Sequence, residues 1–103
     1  MVKRIDPSGA PCPIARSLGI LGDGWSLLIV RDAVQGKRKF GEFQKSLGIA
    51  KNILSARLKG LLACGILEQT ADGDYILTPK GNELRPVLGA FWDWGTKWVP
   101  RAA

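Results

Sequence analysis

The chemistry available to this chain lies in two thiols and one concentrated block of cations. Cys12 stands between Pro11 and Pro13, where a helix is expected to start. A helix N-terminus favours a thiolate, and Lys3 and Arg4 would add to this if the N-terminal arm folded back. A thiolate so placed can take an oxidant or an electrophile; the alternative is an inert, partly buried cysteine. Cys64 follows Leu61 and Leu62 just before Gly65, where packing at a helix end is its simplest use. The two cysteines are far apart and neither has a CxxC partner, so no metal site is expected within one chain. There is no His, which removes the commonest general base and the commonest metal ligand. No GxxxxGK(S/T) or GxSxG motif occurs, and GILGDG at 19–24 does not fit GxGxxG. No catalytic residue, metal or cofactor is expected, and the chain does not read as an enzyme.

The cations are unevenly placed. Residues 35–61, QGKRKFGEFQKSLGIAKNILSARLKGL, hold seven of the 15 Lys and Arg but only one of the nine acidic residues, Glu42. That local excess accounts for the whole formal charge of +6, and the rest of the chain balances. A basic stripe on a folded domain is the electrostatic footprint of a nucleic-acid binder; the alternative is a solvated face that serves solubility.

The elements that must carry this block follow from periodicity. Residues 1–11, with Pro7, Gly9 and Pro11, read as a flexible arm, and 12–103 as a single domain. Ile14, Leu18 and Leu21 fall at helical spacing, and Gly22-Asp23-Gly24 breaks that run. Trp25, Leu28, Ile29 and Ala33 give a second helix, ending near Gly36. Phe40, Phe43 and Leu47 give a short third, closed by Gly48. A fourth helix is expected from Lys51 to Ala63. Ile53, Leu54, Leu58, Leu61 and Leu62 share one broad face of it, and Asn52, Ser55, Ala56, Lys59 and Ala63 the other. Strand-like runs at 66–70 and 75–78 flank Ala71-Asp72-Gly73-Asp74, which predicts a hairpin. Thr78-Pro79 opens a last helix reaching Trp98, with Leu84, Leu88, Phe91, Trp94 and Trp98 along one side and Pro86 placed to kink it. This order predicts an α+β, mainly α, winged helix-turn-helix.

CPIARSLGILGDGW, KFGEFQKSLGIAKNILSARLKGLLACGIL and YILTPKGNELRPVLGAFWDWG, in that order, resemble the HxlR-type transcriptional regulators of bacteria. The match runs from Cys12 to about Trp98. It implies a dimeric winged-helix protein that binds operator DNA, with the first and last helices building the dimer. In several such regulators a cysteine at the place of Cys12 senses oxidants or electrophiles, and the resemblance implies the same role here. Two departures stand out. Ala50 replaces the Ser often found before the recognition helix, and Ser there is worth about 1 kcal/mol as a cap. The wing is short, and its acidic tip, Asp72-Gly73-Asp74, would be repelled by phosphate.

Roles can then be assigned. Lys37, Arg38, Lys39 and Lys45 flank the recognition helix and suit phosphate contacts. Lys51, Asn52, Ser55, Ala56 and Lys59 occupy its early and outward turns and suit base edges or nearby phosphates. Arg57, at the margin of the apolar face, reaches either a phosphate or an internal ion-pair partner. Ile14, Leu18, Leu84, Leu88, Phe91, Trp94 and Trp98 suit a homodimer interface, where aromatic residues concentrate, and a core of this size gains from a partner subunit. Trp25, Phe40 and Phe43 belong to the core.

The function expected is a sequence-specific DNA-binding regulator, a repressor, that responds through Cys12. Two alternatives remain: a winged-helix module that binds protein through its apolar last helix, and a regulator controlled by a small ligand in an apolar dimer cleft. No run approaches the ~18 apolar residues of a membrane span, and the N-terminus lacks the apolar segment of a signal peptide. The expected compartment is therefore the cytoplasm, with no membrane partner.

Overall fold

The computed structural model describes residues 9–102, so the part of the expected arm at 1–8 lies outside the described residues. Six helices and one hairpin follow in the order α1 (Pro13–Leu21), α2 (Ser26–Val34), α3 (Phe40–Leu47), α4 (Lys51–Ala63), β1 (Leu67–Gln69), β2 (Tyr75–Leu77), α5 (Pro79–Asn82) and α6 (Arg85–Trp98). This is a winged helix-turn-helix, α3 and α4 forming the helix-turn-helix and the β-hairpin the wing.

The core is assembled from the middle of the chain. Ile29 and Val30 of α2, Phe43 of α3, Leu54, Leu58 and Leu61 of α4, and Ile66 and Leu67 at the start of the wing are buried together with Ile49. The Tyr75 ring meets Phe43 edge-on at 6.4 Å between centroids, which ties β2 to α3. The wing strands pair antiparallel in the register Leu67 with Leu77, Glu68 with Ile76 and Gln69 with Tyr75.

Helix ends follow local chemistry. Asp23 serves the start of α2: its Oδ1 accepts the N–H of Trp25 at 2.7 Å and of Ser26 at 2.9 Å. α3 stops at Gly48, whose φ of 62° is left-handed and open to glycine at little cost. α4 ends in a Schellman pattern, with Ile66 N–H on the Leu61 carbonyl at 2.9 Å and Gly65 N–H on Leu62 at 3.1 Å. This turn carries the chain straight into the buried Ile66.

The single last helix expected from the sequence is two. Thr78 caps α5, its hydroxyl accepting the Gly81 N–H at 3.0 Å. Gly81 packs so close to the wing that a Cβ there would fall 2.1 Å from the Ile66 carbonyl oxygen. The helix then breaks at Glu83 and Leu84. Pro86 has no N–H to give the Asn82 carbonyl, and its ring would clash with that carbonyl in a continuous helix. The chain therefore restarts at Arg85 instead of bending.

Candidate nucleic-acid interface

α4 begins at Lys51, where the sequence places it, and its two faces separate as expected. Leu54, Leu58 and Leu61 are buried, and Ile53 and Leu62 pack against the core. Lys51, Asn52, Ala56 and Lys59 are exposed and Ser55 is half-buried. Ala50 stands at the N-cap and gives no side-chain hydrogen bond, so the first N–H groups of α4 remain free to meet an anion.

The basic loop before α3 is held by the acidic residues around it. Glu42 accepts the backbone N–H groups of Arg38 and Lys39 at 3.0 Å each, and these bonds lower its pKa. The Arg38 carbonyl accepts the Tyr75 N–H at 2.7 Å, which fastens the loop to the edge of the wing. Lys39 Nζ lies 2.9 Å from Asp74 Oδ1, and that bond raises the lysine's pKa. Lys39, assigned to phosphate, thus already holds a partner inside the chain. The same pair neutralises Asp74, one of the two carboxylates at the wing tip. Lys37 and Lys45 come together with Ser46 at one surface depression, beside Glu42. Arg38 and Lys45 are exposed.

Arg57 resolves toward the ion pair. Its Nε lies 3.7 Å from Asp23 Oδ1, beneath the outward face of α4. Burial opposes ionisation of Asp23. The Ser26 hydroxyl, the N–H groups of Trp25 and Ser26, and Arg57 together outweigh it and lower the carboxyl's pKa. Arg57 thereby links α4 to the loop before α2. The signal for this contact was weak, because nothing in the spacing of residues 23 and 57 couples them.

The expected dimer residues divide. Ile14, Leu18, Phe91, Trp94 and Trp98 are exposed on α1 and α6, Ile14 at 71% and Trp98 at 63%. Leu84 and Leu88 instead pack against the chain's own core. Leu84 is the N-cap of α6, and its carbonyl accepts the Leu88 N–H at 3.0 Å. Trp92 was missed and is the most exposed of the large apolar residues, at 75%. Its distance of four residues from Leu88 was a readable helical signal.

Cys12 is exposed and stands at the N-cap of α1, its carbonyl accepting the Arg16 N–H at 3.0 Å. Lys3 and Arg4, invoked beside it, lie outside the described residues. Cys64 caps the C-terminus of α4 and packs against the core. Among the described residues no cluster of His, Cys, Asp or Glu could hold a metal, and no helix is long and apolar enough to cross a membrane.

The chain is similar in sequence and in fold to transcriptional regulators. The uncharacterized HTH-type transcriptional regulator Mb3122 of Mycobacterium bovis is 33% identical over 94 residues, which are 85% of this chain and 60% of that protein. The chain therefore spans about 60% of the length of that relative. The crystal structure of PA1607, a candidate transcription factor, superposes with a TM-score of 0.86 at 47% identity, covering 96% of this chain and 75% of that one. Quinone-bound YodB from B. subtilis superposes at 0.76 with 29% identity, covering 84% and 99%. Residues 20–103 match the family model of the HxlR-like helix-turn-helix. With that match joined to a winged helix-turn-helix whose recognition helix turns its polar side outward, the chain belongs to the HxlR-like helix-turn-helix transcriptional regulators.

Proposed function

We propose that the protein is a homodimeric repressor that reads an operator with α4 and responds to oxidants or electrophiles through Cys12. The observation that carries the DNA reading is the exposed polar face of α4 beside the Lys37–Lys39 loop. In this reading Lys51, Asn52, Ser55, Ala56 and Lys59 meet base edges or nearby phosphates, and Lys37, Arg38 and Lys45 position the duplex. Lys39 braces the wing instead, and Arg57 braces α4.

Dimerisation is supported by the rings that α6 leaves in solvent. A dimer built on α1 and α6 would carry two α4 helices to successive major grooves, about 34 Å apart. The redox reading is supported by the exposure of Cys12 and by similarity to a quinone-bound protein. With a quinone, the Cys12 sulfur adds to a ring carbon, the thiol proton passes to one ring oxygen and the hydrogen of the attacked carbon to the other, giving a hydroquinone thioether.

Fluorescence anisotropy of the reduced protein tests the reading, with a duplex from its own upstream region and a scrambled duplex, across a salt series. A preference of about 10³ or more for the upstream duplex is expected. Cys12→Ser should leave that affinity intact and remove the response to diamide or a quinone; an unchanged response rejects the sensor role. The exposed tryptophans of α6 favour a second reading, a protein-binding module. Failure to bind either duplex at low salt would put that reading first.

A further inference from the structure

Beside the exposed face of α6 lies a cleft of about 610 Å³ between α1, α2 and α6. Its size falls among ligand pockets, which commonly run to about 300–1,000 Å³. Leu21, Leu27, Leu28 and Leu88 form apolar walls, and Phe91 and Trp92 supply aromatic surface. One end differs. Arg31 of α2 and Gln35, its C-cap, both line the cleft, and no acidic residue does.

Arg31 gives Nε and Nη2 to a single oxygen of Asp32, at 3.2 and 3.1 Å. That pairing leaves its Nη1 edge unused, and a guanidinium can hold a second carboxylate on a free edge. Gln35 lines the same cleft and carries an amide donor. Leu18, Leu88 and Phe91, expected to meet a second copy, line the cleft, whereas Trp94 and Trp98 do not. Its floor is the half-buried flank of α2.

We infer that this cleft is a binding site for an aromatic carboxylate, its rings held between Leu28 and Phe91 and its anion on Arg31 and Gln35. The inference goes beyond the regulator reading and does not use Cys12.

Calorimetric titration of the reduced protein tests it, with 2-naphthoate and the neutral 2-naphthalenemethanol as probes. One naphthoate per protomer is expected, bound about tenfold more tightly than the alcohol, as one charge-assisted contact supplies. Arg31→Gln should erase the preference and spare alcohol binding. Gln35→Leu, at an exposed position, should narrow the preference, and it serves if Arg31→Gln fails to fold with Asp32 left unpaired. Leu28→Trp should fill the cleft and abolish both. Absence of binding to the folded protein would overturn the site, and so would equal affinity for the two probes. A preference that survives both polar substitutions would do the same. Binding confined to a monomeric Trp98→Glu variant would also overturn it, because a second copy would then occupy the cleft. The titration contains no DNA, so its failure leaves the operator reading standing, and loss of operator binding leaves this site standing.

Discussion

The two halves of the molecule spend their apolar residues differently. The segment from α2 to the wing buries Ile29, Val30, Phe43, Leu54, Leu58 and Leu61 within one chain and turns its cations outward. α1 and α6 bury no residue fully, resting only Leu21 and Leu88 against that core, and leave Ile14, Phe91, Trp92, Trp94 and Trp98 in solvent. One region is complete as a monomer and unsatisfied only in charge. The other is unsatisfied in apolar surface. Removal of a large side chain should therefore harm folding in the first region and association in the second.

The sharpest way to break this contrast is to truncate one residue from each. Leu58→Ala should cost about 2–5 kcal/mol in denaturant unfolding, as buried leucines do. Trp98→Ala should leave unfolding of the dilute monomer nearly unchanged, since most of that ring is already wet. Its effect belongs in sedimentation, where a central aromatic contact is worth about 2 kcal/mol or more of association. An equal loss of monomer stability in both variants would show that α6 belongs to the same cooperative core.

The second contrast lies within the charged region. Asn52→Ala should cost about 1–3 kcal/mol on the preferred duplex and little on the scrambled one, as expected of a base contact. Lys45→Ala should weaken both alike and reduce the salt slope by about one. If the two variants behave identically in anisotropy, α4 does not read bases.

Much of the fold was legible because its signals are local. The bounds of α4, the Gly48 turn, the hairpin around Asp72-Gly73 and the Thr78 cap each depend on a few adjacent residues, and each stands where expected. The contacts that adjust the site are not local. Lys39 meets Asp74 across 35 residues, and Arg57 meets Asp23 across 34. Both pairs exist only because core packing brings loops beside helices, so charge counting assigned those cations to phosphate or left them open. Leu84 and Leu88 misled for a related reason: a helical wheel groups apolar residues without showing which of them the chain's own core takes.

Asp23 gives the comparison a pH readout: burial opposes its ionisation, and the hydrogen bonds from Ser26 and Trp25 outweigh that, with Arg57 adding the least. The folded pKa of Asp23 lies below its unfolded value, so its contribution is present above the unfolded value, near 3.8, and is lost as pH falls through the folded one. Asp23→Ala removes the acceptor at the start of α2 and should cost about 1 kcal/mol at neutral pH. The difference from the parent should shrink as the solution is acidified below about pH 4. Unfolding midpoints across that range check it, and a difference that stays constant to low pH would mean the carboxylate is not favoured by folding.

The smallest effect is expected at the wing. Lys39 and Asp74 are paired on the surface, and an exposed pair of this kind is worth little to stability. Asp74→Asn should therefore leave the unfolding midpoint nearly unmoved. Its consequence is for DNA: Lys39 loses its partner while staying on the basic loop, and the wing tip loses one negative charge. Nonspecific affinity should rise, and the salt slope should steepen by about one. Lys39→Ala in the parent should change that slope far less than Lys45→Ala, because Lys39 is already engaged. If Lys39→Ala and Lys45→Ala flatten the slope equally, the Lys39–Asp74 pair opens on DNA. The wing tip then yields its cation to phosphate, and all three residues of the basic loop belong to the interface.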